Sequence, residues 1–389
     1  MSEKYSWKKQ REARAYIALE DGAVFRGFSV GAEKNTVGEA VFNTGMTGYQ
    51  EILTDPSYSG QFVVMTTPEI GNYGVVPAED DESDRFRASG FVMREIRDAS
   101  NWRSRKNLSD ALKEQGVPAL SGVDTRALTL HLRDFGSMKA YICTDGSVPA
   151  EEGVRRAQAW EGLVGQDYAS RVTCAAPFVW DESGERSRIF GAEEISPLKY
   201  EVVAYDFGIK YGILRCMRRA GMRVTVVPAG TPAEDVSARN PDGIFLSNGP
   251  ADPAALPHFV ENIKKLHGRA PIMGICLGHQ LLGLSFGAKT ERLRFGHHGC
   301  NHPVMDLTTN EIEITSQNHN YAVVAETLPP DVEVSHINLN DRTVEGLQHK
   351  ALRIFSVQYH PESAPGPHDA APLFARFAEL MDAARAEKA

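Results

Sequence analysis

The pattern of apolar and polar positions differs between the two halves of the chain. In the first half, short apolar runs alternate with Gly, Asp and Pro turns, and the clearest runs are residues 15–19, 61–67 and 90–93. Short apolar runs bounded by turn residues are typical of strands. Few long helical patterns interrupt them, so the first half is predicted to be strand-rich.

The second half alternates strand patterns with helix patterns. Residues 201–205 predict a buried strand, residues 209–220 a helix, and residues 223–227 a second strand. Further apolar runs recur, with helical segments between several of them, at 243–246, 271–275 and 354–357. This alternation favours an α/β domain with a mostly parallel sheet flanked by helices.

The chain length agrees with two domains. A chain of 389 residues exceeds what one hydrophobic core usually holds. A polar stretch rich in Ser, Gly, Glu and Arg separates the two halves. We therefore predict an N-terminal domain over 1–165, a linker over 166–199 and a C-terminal domain over 200–389.

Composition and charge exclude several classes of protein. With 42% hydrophobic residues, 24% charged residues and a net charge of −9, the chain lacks membrane-span composition and the long basic run of a nucleic-acid surface. The charged N-terminus lacks the apolar stretch of a secretory signal. The five cysteines are odd in number and include no C-x-x-C pair. We expect a cytoplasmic protein without disulfides or a structural zinc site.

The strongest candidate for chemistry is Cys276, within the sequence Gly-Ile-Cys-Leu-Gly. Residues 271–275 predict a strand and residues 277–285 a helix, so the cysteine lies at a sharp turn that glycines make sterically possible. This is the thiol counterpart of the G-x-S-x-G nucleophile elbow. The alternative is an ordinary buried cysteine, the usual place for this residue type.

A second motif, Gln-Tyr-His360-Pro-Glu362, favours the catalytic interpretation. It follows the strand predicted at 354–357 and so brings a base and a carboxylate to the end of a neighbouring strand. In thiol chemistry the imidazole takes the thiol proton, and the carboxylate orients the imidazole. An isolated histidine at a strand end is more often structural.

Three motifs together resemble the class I, triad-type glutamine amidotransferases: residues 274–280, Ser-Asn-Gly-Pro at 247–250 and His-Pro-Glu at 360–362. In that family the cysteine attacks the glutamine side-chain amide, forms a thioester and releases ammonia. The resemblance implies Cys276 as nucleophile, His360 as base and Glu362 as the residue that orients it. It also implies an oxyanion hole formed by the backbone N–H groups of Gly249 and Leu277.

The first half narrows the resemblance to the family of carbamoyl phosphate synthetase small subunits. Residues 42–59, 70–74 and 122–129 carry it, and it continues through motifs at 205–210, 240–250, 295–299, 317–319 and 365–372. The glutamine site implied by this family consists of Ser57, Gly249, Ala251, Leu277, Gln280, Asn318, Asn320 and Tyr321. For Ser57, an ordinary turn residue is the alternative, because Asp-Pro-Ser is typical turn chemistry.

Two positions depart from the family, which has glycine where this chain has Ala251 and Asn320. If either glycine adopts a positive φ, alanine would be strained there by about 1–2 kcal/mol, whereas asparagine tolerates the left-handed region better. The glutamine contact of Ala251 is the one that the departure affects most.

The expected cofactors and partners are inferred from the absence of nucleotide-binding motifs and from the family resemblance. Neither a P-loop motif nor a strand-placed G-x-G-x-x-G motif is present. We therefore expect no cofactor on this chain, and ATP and Mg on a large synthetase subunit that receives ammonia from L-glutamine through an internal tunnel. The product would serve arginine and pyrimidine biosynthesis, and neither nucleic acid nor membrane is an expected partner.

A metal site at residues 296–302 and two other functions for the chain are the alternative interpretations of this sequence. The Gly-rich segment 296–302 gathers three histidines and Cys300, but adjacent ligands lack the usual zinc spacing, so we expect a loop without metal. A stand-alone γ-glutamyl or thiol hydrolase could use the same triad, although the N-terminal domain argues against it. A non-catalytic regulatory subunit is the other alternative, and the intact triad argues against that.

Overall fold

The chain divides into two units in the computed structural model, which describes residues 14–76, 80–188, 195–250 and 252–388. The first unit contains the described residues up to Val164 together with Arg294–His298. The second contains the described residues of 165–293 and those from Gly299 onwards. Each unit buries its own clusters of apolar side chains, as expected of a chain too long for one core.

Strands dominate the first unit, so the strand-rich prediction for this half is confirmed. They are β1 (Ala15–Leu19), β2 (Val24–Ser29), β3 (Thr36–Asn43), β4 (Gln61–Met65), β5 (Glu69–Ile70), β6 (Gly90–Val92), β7 (Glu95–Ile96), β8 (Ala119–Ser121) and β9 (Met138–Cys143). Seven of them close into a barrel in the order β1-β2-β8-β6-β4-β3-β9, and β5 pairs separately with β7. The three apolar runs of the sequence correspond to β1, β4 and β6.

Helices and side chains cover both surfaces of the barrel wall. The helices are α1 (Tyr49–Thr54), α2 (Leu108–Glu114), α3 (Thr125–Phe135) and α4 (Ala150–Ala159). Strand β1 is buried at every position. Ile17 and Leu19 pack in one apolar cluster with Phe62, whereas Tyr16 packs in another with Ala157 of α4. A strand with both faces covered has a continuous apolar sequence, as seen here.

One large sheet forms the centre of the second unit. Its strands are β10 (Phe178–Val179), β11 (Tyr200–Asp206), β12 (Met222–Pro228), β13 (Gly243–Leu246), β14 (Ile272–Ile275), β15 (Thr290–Asp306), β16 (Ile312–Val323), β17 (Val332–Asn338), β18 (Val344–His349) and β19 (Ile354–Val357). The order is β10-β12-β11-β13-β14-β19-β18-β17-β15-β16. The five strands from β12 to β19 in this order are parallel, which confirms the predicted parallel core. Strands β18, β17 and β15 extend the sheet by antiparallel pairing.

Helices pack against both faces of the parallel strands. They are α5 (Ala169–Val172), α6 (Tyr211–Arg219), α7 (Ala233–Ser237), α8 (Pro257–Lys264), α9 (Leu277–Ser285) and α10 (Pro372–Lys388). One apolar cluster includes Ile213 of α6 and Phe377 of α10, and a second includes Phe259 of α8 and Leu281 of α9. In the described ranges, no helix is both long and apolar enough to cross a membrane.

The carboxyl ends of the parallel strands lie side by side at one edge of this sheet. Ile275 at the end of β14 pairs with Val357 at the end of β19. The segments after β11 and β13 are also joined, because the N–H of Phe207 donates to Oγ of Ser247 at 2.9 Å. Open α/β sheets bind their ligands outside this edge.

Two segments contain more regular structure than their sequence pattern indicates. The segment 166–199, predicted to be a linker, has its described residues in the second unit, where β10 pairs with β12 and Trp180 is buried. The segment is polar in composition, so the sequence gives little sign that Trp180 anchors it. The indole N–H of Trp180 donates to Oγ of Ser187 at 3.2 Å. The segment 296–302, predicted to be a loop, is part of the long strand β15.

Candidate active site

Cys276 lies at the turn between β14 and α9, where the sequence predicts it. Its φ of 53° and ψ of −104° place a non-glycine residue in a region that costs roughly 1–3 kcal/mol. Its N–H donates to the carbonyl oxygen of Val357 at 2.9 Å, and its Sγ donates to the carbonyl oxygen of Asn318 at 3.6 Å. The turn thus holds a buried thiol between the end of β19 and the backbone of β16.

Two glycines near the cysteine are required by the close approach of other backbone segments. A Cβ atom on Gly278 would lie 2.2 Å from the carbonyl oxygen of Leu246, and one on Gly249 would lie 2.1 Å from that of Phe207. Protein Cβ atoms do not approach oxygen so closely. Helix α9 can therefore pack this near to β13 only with glycine at 278.

The two N–H groups predicted to form an oxyanion hole belong to residues on neighbouring elements. Leu277 is the first residue of α9, whose first N–H groups have no partner inside the helix, and Gly249 follows β13. Within the described ranges, neither N–H donates a hydrogen bond. Both donors are therefore available to a ligand, and their shared role stays a prediction.

His360 and Glu362 lie just after β19, beside the strand that carries the cysteine. Nδ1 of His360 lies 2.7 Å from Oε1 of Glu362, and both side chains are buried. The carboxylate can only accept at neutral pH, so Nδ1 carries the proton in this bond. This fixes the ring so that Nε2 is the atom left for proton exchange.

Lys210 is the residue of this site that the sequence interpretation missed. Its Nζ lies 2.6 Å from Oε1 of Glu362 and donates to the carbonyl oxygen of Ala364 at 2.7 Å. Its side chain is 3% exposed, although lysine is almost never buried unless it is paired. The sequence pattern placed Lys210 inside the helix predicted over 209–220; in the structure it precedes α6 and lies at the carboxyl edge of the sheet.

The charges of this group determine its protonation. Burial would raise the pKa of Glu362, but the Lys210 ammonium and then His360 outweigh it and lower that pKa to about 2. Burial likewise opposes the charged form of His360, yet the Glu362 carboxylate and the Cys276 thiol raise the pKa of His360 well above its usual value. Glu362 is therefore ionised at neutral pH, and His360 readily holds a proton.

Nε2 of His360 is buried and makes no hydrogen bond of good geometry to any described residue, although the Cys276 thiol is near enough to raise the pKa of the ring. A buried polar atom without a partner is uncommon and asks for an explanation. Catalytic hydrogen bonds are often long or misaligned before substrate binds. The missing hydrogen bond therefore fits an atom that exchanges a proton with Cys276. The geometry thus supports a base that is oriented by Glu362 and, through it, by Lys210.

Replacing Lys210 by Met is expected to lower the free energy of unfolding by about 3–5 kcal/mol at pH 7, because the buried Glu362 carboxylate loses the cation that lowers its pKa most. The pKa of Glu362 is lowered in the folded chain, so the pair stabilises fully above pH 4.5 and its contribution is lost as the pH falls towards 2. Urea unfolding of the variant and the unsubstituted chain at several pH values measures this difference.

Lys199→Met is the matched control. Lys199 is 54% exposed and pairs with Asp382 on the surface. Exposed pairs contribute little to stability, so this control should unfold close to the unsubstituted chain. Equal effects of the two substitutions would contradict the buried Lys210–Glu362 pair.

Four of the predicted glutamine-binding residues of the second unit lie on two elements, α9 and β16. Gln280 is on α9, one turn after Cys276, with its N–H donating to the carbonyl oxygen of Cys276 at 3.1 Å. Asn318, Asn320 and Tyr321 are on β16. The two elements meet where the side-chain amide of Gln280 donates to the carbonyl oxygen of Tyr321 at 2.9 Å.

Ser57 is in the first unit, in a short 3-10 turn, where its N–H donates to Oδ1 of Asp55 at 2.8 Å. Asn320 is within an extended strand and its φ is not positive, so no strain arises from replacing glycine there. Ala251 lies outside the described residues. The contacts of all three with glutamine stay predictions.

A thiol at the end of one parallel strand and a histidine–carboxylate pair at the end of the next is the arrangement of class I glutamine amidotransferases. Residues 203–380 match the family Glutamine amidotransferase class-I, which confirms the predicted class for the second unit. Residues 17–142 match a different family, carbamoyl-phosphate synthase small chain, CPSase domain.

Curated relatives match both units at once. The chain is 53% identical over 377 residues to the carbamoyl phosphate synthase small chain of Thermosynechococcus vestitus, covering 95% of this chain and 97% of the relative. It is 51% identical over 377 residues to that of Akkermansia muciniphila, covering 97% and 100%. The small chain of Pseudomonas aeruginosa is 49% identical over 376 residues, covering 94% and 98%. This chain belongs to the carbamoyl phosphate synthase small-chain family.

Proposed function

We propose that this chain is the glutaminase subunit of a glutamine-hydrolysing carbamoyl phosphate synthetase, a carbon–nitrogen ligase. The observation that carries the proposal is the hydrogen-bonded series from Lys210 through Glu362 to His360, beside a buried thiol at a strained strand-to-helix turn. A buried thiol near an imidazole that is bonded to a carboxylate supports catalysis over a purely regulatory role.

The reaction begins when the sulfur of Cys276 attacks the side-chain carbonyl carbon of L-glutamine. The thiol proton moves to Nε2 of His360, and the carbonyl oxygen becomes an oxyanion that accepts hydrogen bonds from the N–H groups of Gly249 and Leu277. The imidazolium formed at His360 is stabilised by the Glu362 carboxylate. The remaining glutamine contacts in the second unit come from Gln280, Asn318, Asn320 and Tyr321.

The second half of the reaction releases both products. His360 gives its proton to the amide nitrogen, the C–N bond breaks, and ammonia leaves while the glutamyl group stays on Cys276 as a thioester. A water molecule, deprotonated by His360, then attacks the thioester through a second oxyanion. Glutamate leaves, and the proton returns to the sulfur.

The ammonia is used by a large synthetase subunit, which makes carbamoyl phosphate from bicarbonate. That subunit binds ATP and Mg, since the sequence of the present chain has no P-loop motif and the chain itself needs no cofactor. Ammonia is mostly ammonium in neutral water, so an internal tunnel carries it to the partner. The relatives' designation as small chains supports such a partner.

The setting of the reaction forms part of the same proposal. The chain pairs with the large subunit as a heterodimer in the cytoplasm, and the product serves arginine and pyrimidine biosynthesis. The spacing of the five cysteines, which suits a reducing compartment, supports this location.

Ammonia release from glutamine tests the proposed function. The purified chain is expected to release ammonia slowly by itself and about tenfold faster, or more, with the large subunit and ATP. No release in either condition would contradict the catalytic role. The same fast rate with and without the partner would instead identify a stand-alone hydrolase.

A further inference from the structure

Gln358, the residue that directly follows β19, has a fully buried polar side chain that lies outside the triad. It is 0% exposed and lies two residues before His360. Its backbone N–H donates to the carbonyl oxygen of Glu345 at 2.8 Å, which fixes its main chain to β18. Its side-chain Oε1 accepts a hydrogen bond from Nε2 of Gln280 at 3.0 Å.

The orientation of both side-chain amides is determined by a backbone carbonyl group. Nε2 of Gln280 also donates to the carbonyl oxygen of Tyr321 at 2.9 Å, and a carbonyl oxygen can only accept. The nitrogen of Gln280 must therefore face Tyr321. Because the same nitrogen lies beside Gln358, the oxygen of Gln358 must face it in turn.

This arrangement leaves one group of Gln280 for a ligand. Both N–H donors of its amide are taken, one by Tyr321 and one by Gln358. Its Oε1 accepts no hydrogen bond from the described part of the chain. Gln280 thus presents an acceptor, and a ligand that binds it must bring an N–H or O–H donor.

The surroundings of the side-chain nitrogen of Gln358 indicate that the oxygen of the same amide is the atom required at this position. Nε2 of Gln358 is buried and has no hydrogen-bond partner among the described residues. An unsatisfied buried donor destabilises a fold, and an apolar side chain of similar size would avoid that cost. Glutamine at this position is explained when its oxygen is required to hold Gln280.

We propose that Gln358 is a positioning residue for substrate binding, which fixes the carboxamide of Gln280 so that its oxygen accepts a hydrogen bond from an N–H donor of L-glutamine. The substrate carries two such donors, its α-ammonium group and its carboxamide NH₂. This inference rests on the proposed glutaminase function and adds a specificity-determining role outside the triad.

Gln358→Met is the variant that tests this role, because methionine has a similar length and no acceptor oxygen. In the complex with the large subunit and ATP, the KM for glutamine is expected to rise about tenfold, with kcat changed less than about threefold. Gln348→Met is the matched control. Gln348 is half-buried on β18 and accepts from Arg376, and this control should keep both kinetic constants.

A double-mutant cycle separates positioning from a general structural defect. If Gln358 acts through Gln280, the variant with both residues changed to Met should have the same KM as Gln280→Met alone. The rate at which iodoacetamide alkylates Cys276 should stay unchanged in Gln358→Met. Gln358→Leu should repeat the KM effect, which keeps the test available if one variant folds poorly.

An unchanged KM in Gln358→Met, or KM effects of the two substitutions that multiply independently, would overturn the positioning role while the glutaminase function stands. If the unsubstituted complex releases no ammonia from glutamine, the proposed function falls, and this inference falls with it. The two failures are therefore distinguished by the unsubstituted complex alone.

Discussion

Replacing Cys276 by Ser is expected to abolish carbamoyl phosphate synthesis from glutamine while leaving synthesis from added ammonium unchanged. A serine hydroxyl is far less acidic than a thiol, and a base suited to a thiol leaves it largely protonated. We expect a loss of at least about a thousandfold in glutamine-dependent kcat. The assay compares the two nitrogen sources in the complex with the large subunit and ATP.

The comparison of nitrogen sources makes this prediction specific. Loss of both activities in Cys276→Ser would indicate a structural role for the cysteine. Cys216→Ser is the matched control, since Cys216 lies on α6 and its Sγ accepts a hydrogen bond from Arg219. That variant should retain synthesis from both glutamine and ammonium.

Replacing His360 by Asn is expected to have the second largest effect, a loss of about 10²–10⁴-fold in glutamine-dependent kcat. The asparagine amide can still bond to Glu362, but it cannot exchange a proton with the thiol at neutral pH. Because the raised pKa of His360 favours an imidazolium beside the sulfur, its loss should also slow alkylation of Cys276 by iodoacetamide. Both rates are measured at pH 7.

His258→Asn is the control for this substitution. The side chain of His258, on α8, is 53% exposed, and its Nε2 lies 3.6 Å from Oδ2 of Asp167. It should leave glutamine hydrolysis and alkylation unchanged. Unchanged alkylation in His360→Asn would mean that the imidazole does not interact with the thiol.

Elements with strong local patterns could be predicted from the sequence. The strands β1, β13 and β19 and the helix α9 have the predicted limits, because each is a buried run bounded by turn residues. The turn that contains Cys276 followed directly from the strand and the helix predicted on either side of it. The contact of His360 with Glu362 could also be expected, because both residues belong to one short motif that follows β19.

Contacts between residues distant in the sequence could not be predicted in the same way. Lys210 and Glu362 are separated by 152 residues, and a single lysine gives no sign that it is buried. Strand β15 contains glycines and histidines that interrupt the alternation of apolar and polar positions. The described residues of 166–199 join the second unit through the few apolar residues of a polar stretch. In each case the tertiary partner, and not local propensity, decides the structure.

The most direct test of the central claim is to trap the covalent intermediate on Cys276. The chain is mixed with isotope-labelled glutamine, quenched in acid and digested, and the peptide that contains Cys276 is analysed by mass spectrometry. We predict a labelled glutamyl thioester on this cysteine, which hydroxylamine removes and which is missing in Cys276→Ser. Release of ammonia from glutamine with no label on Cys276, or with label on another residue, would contradict the account.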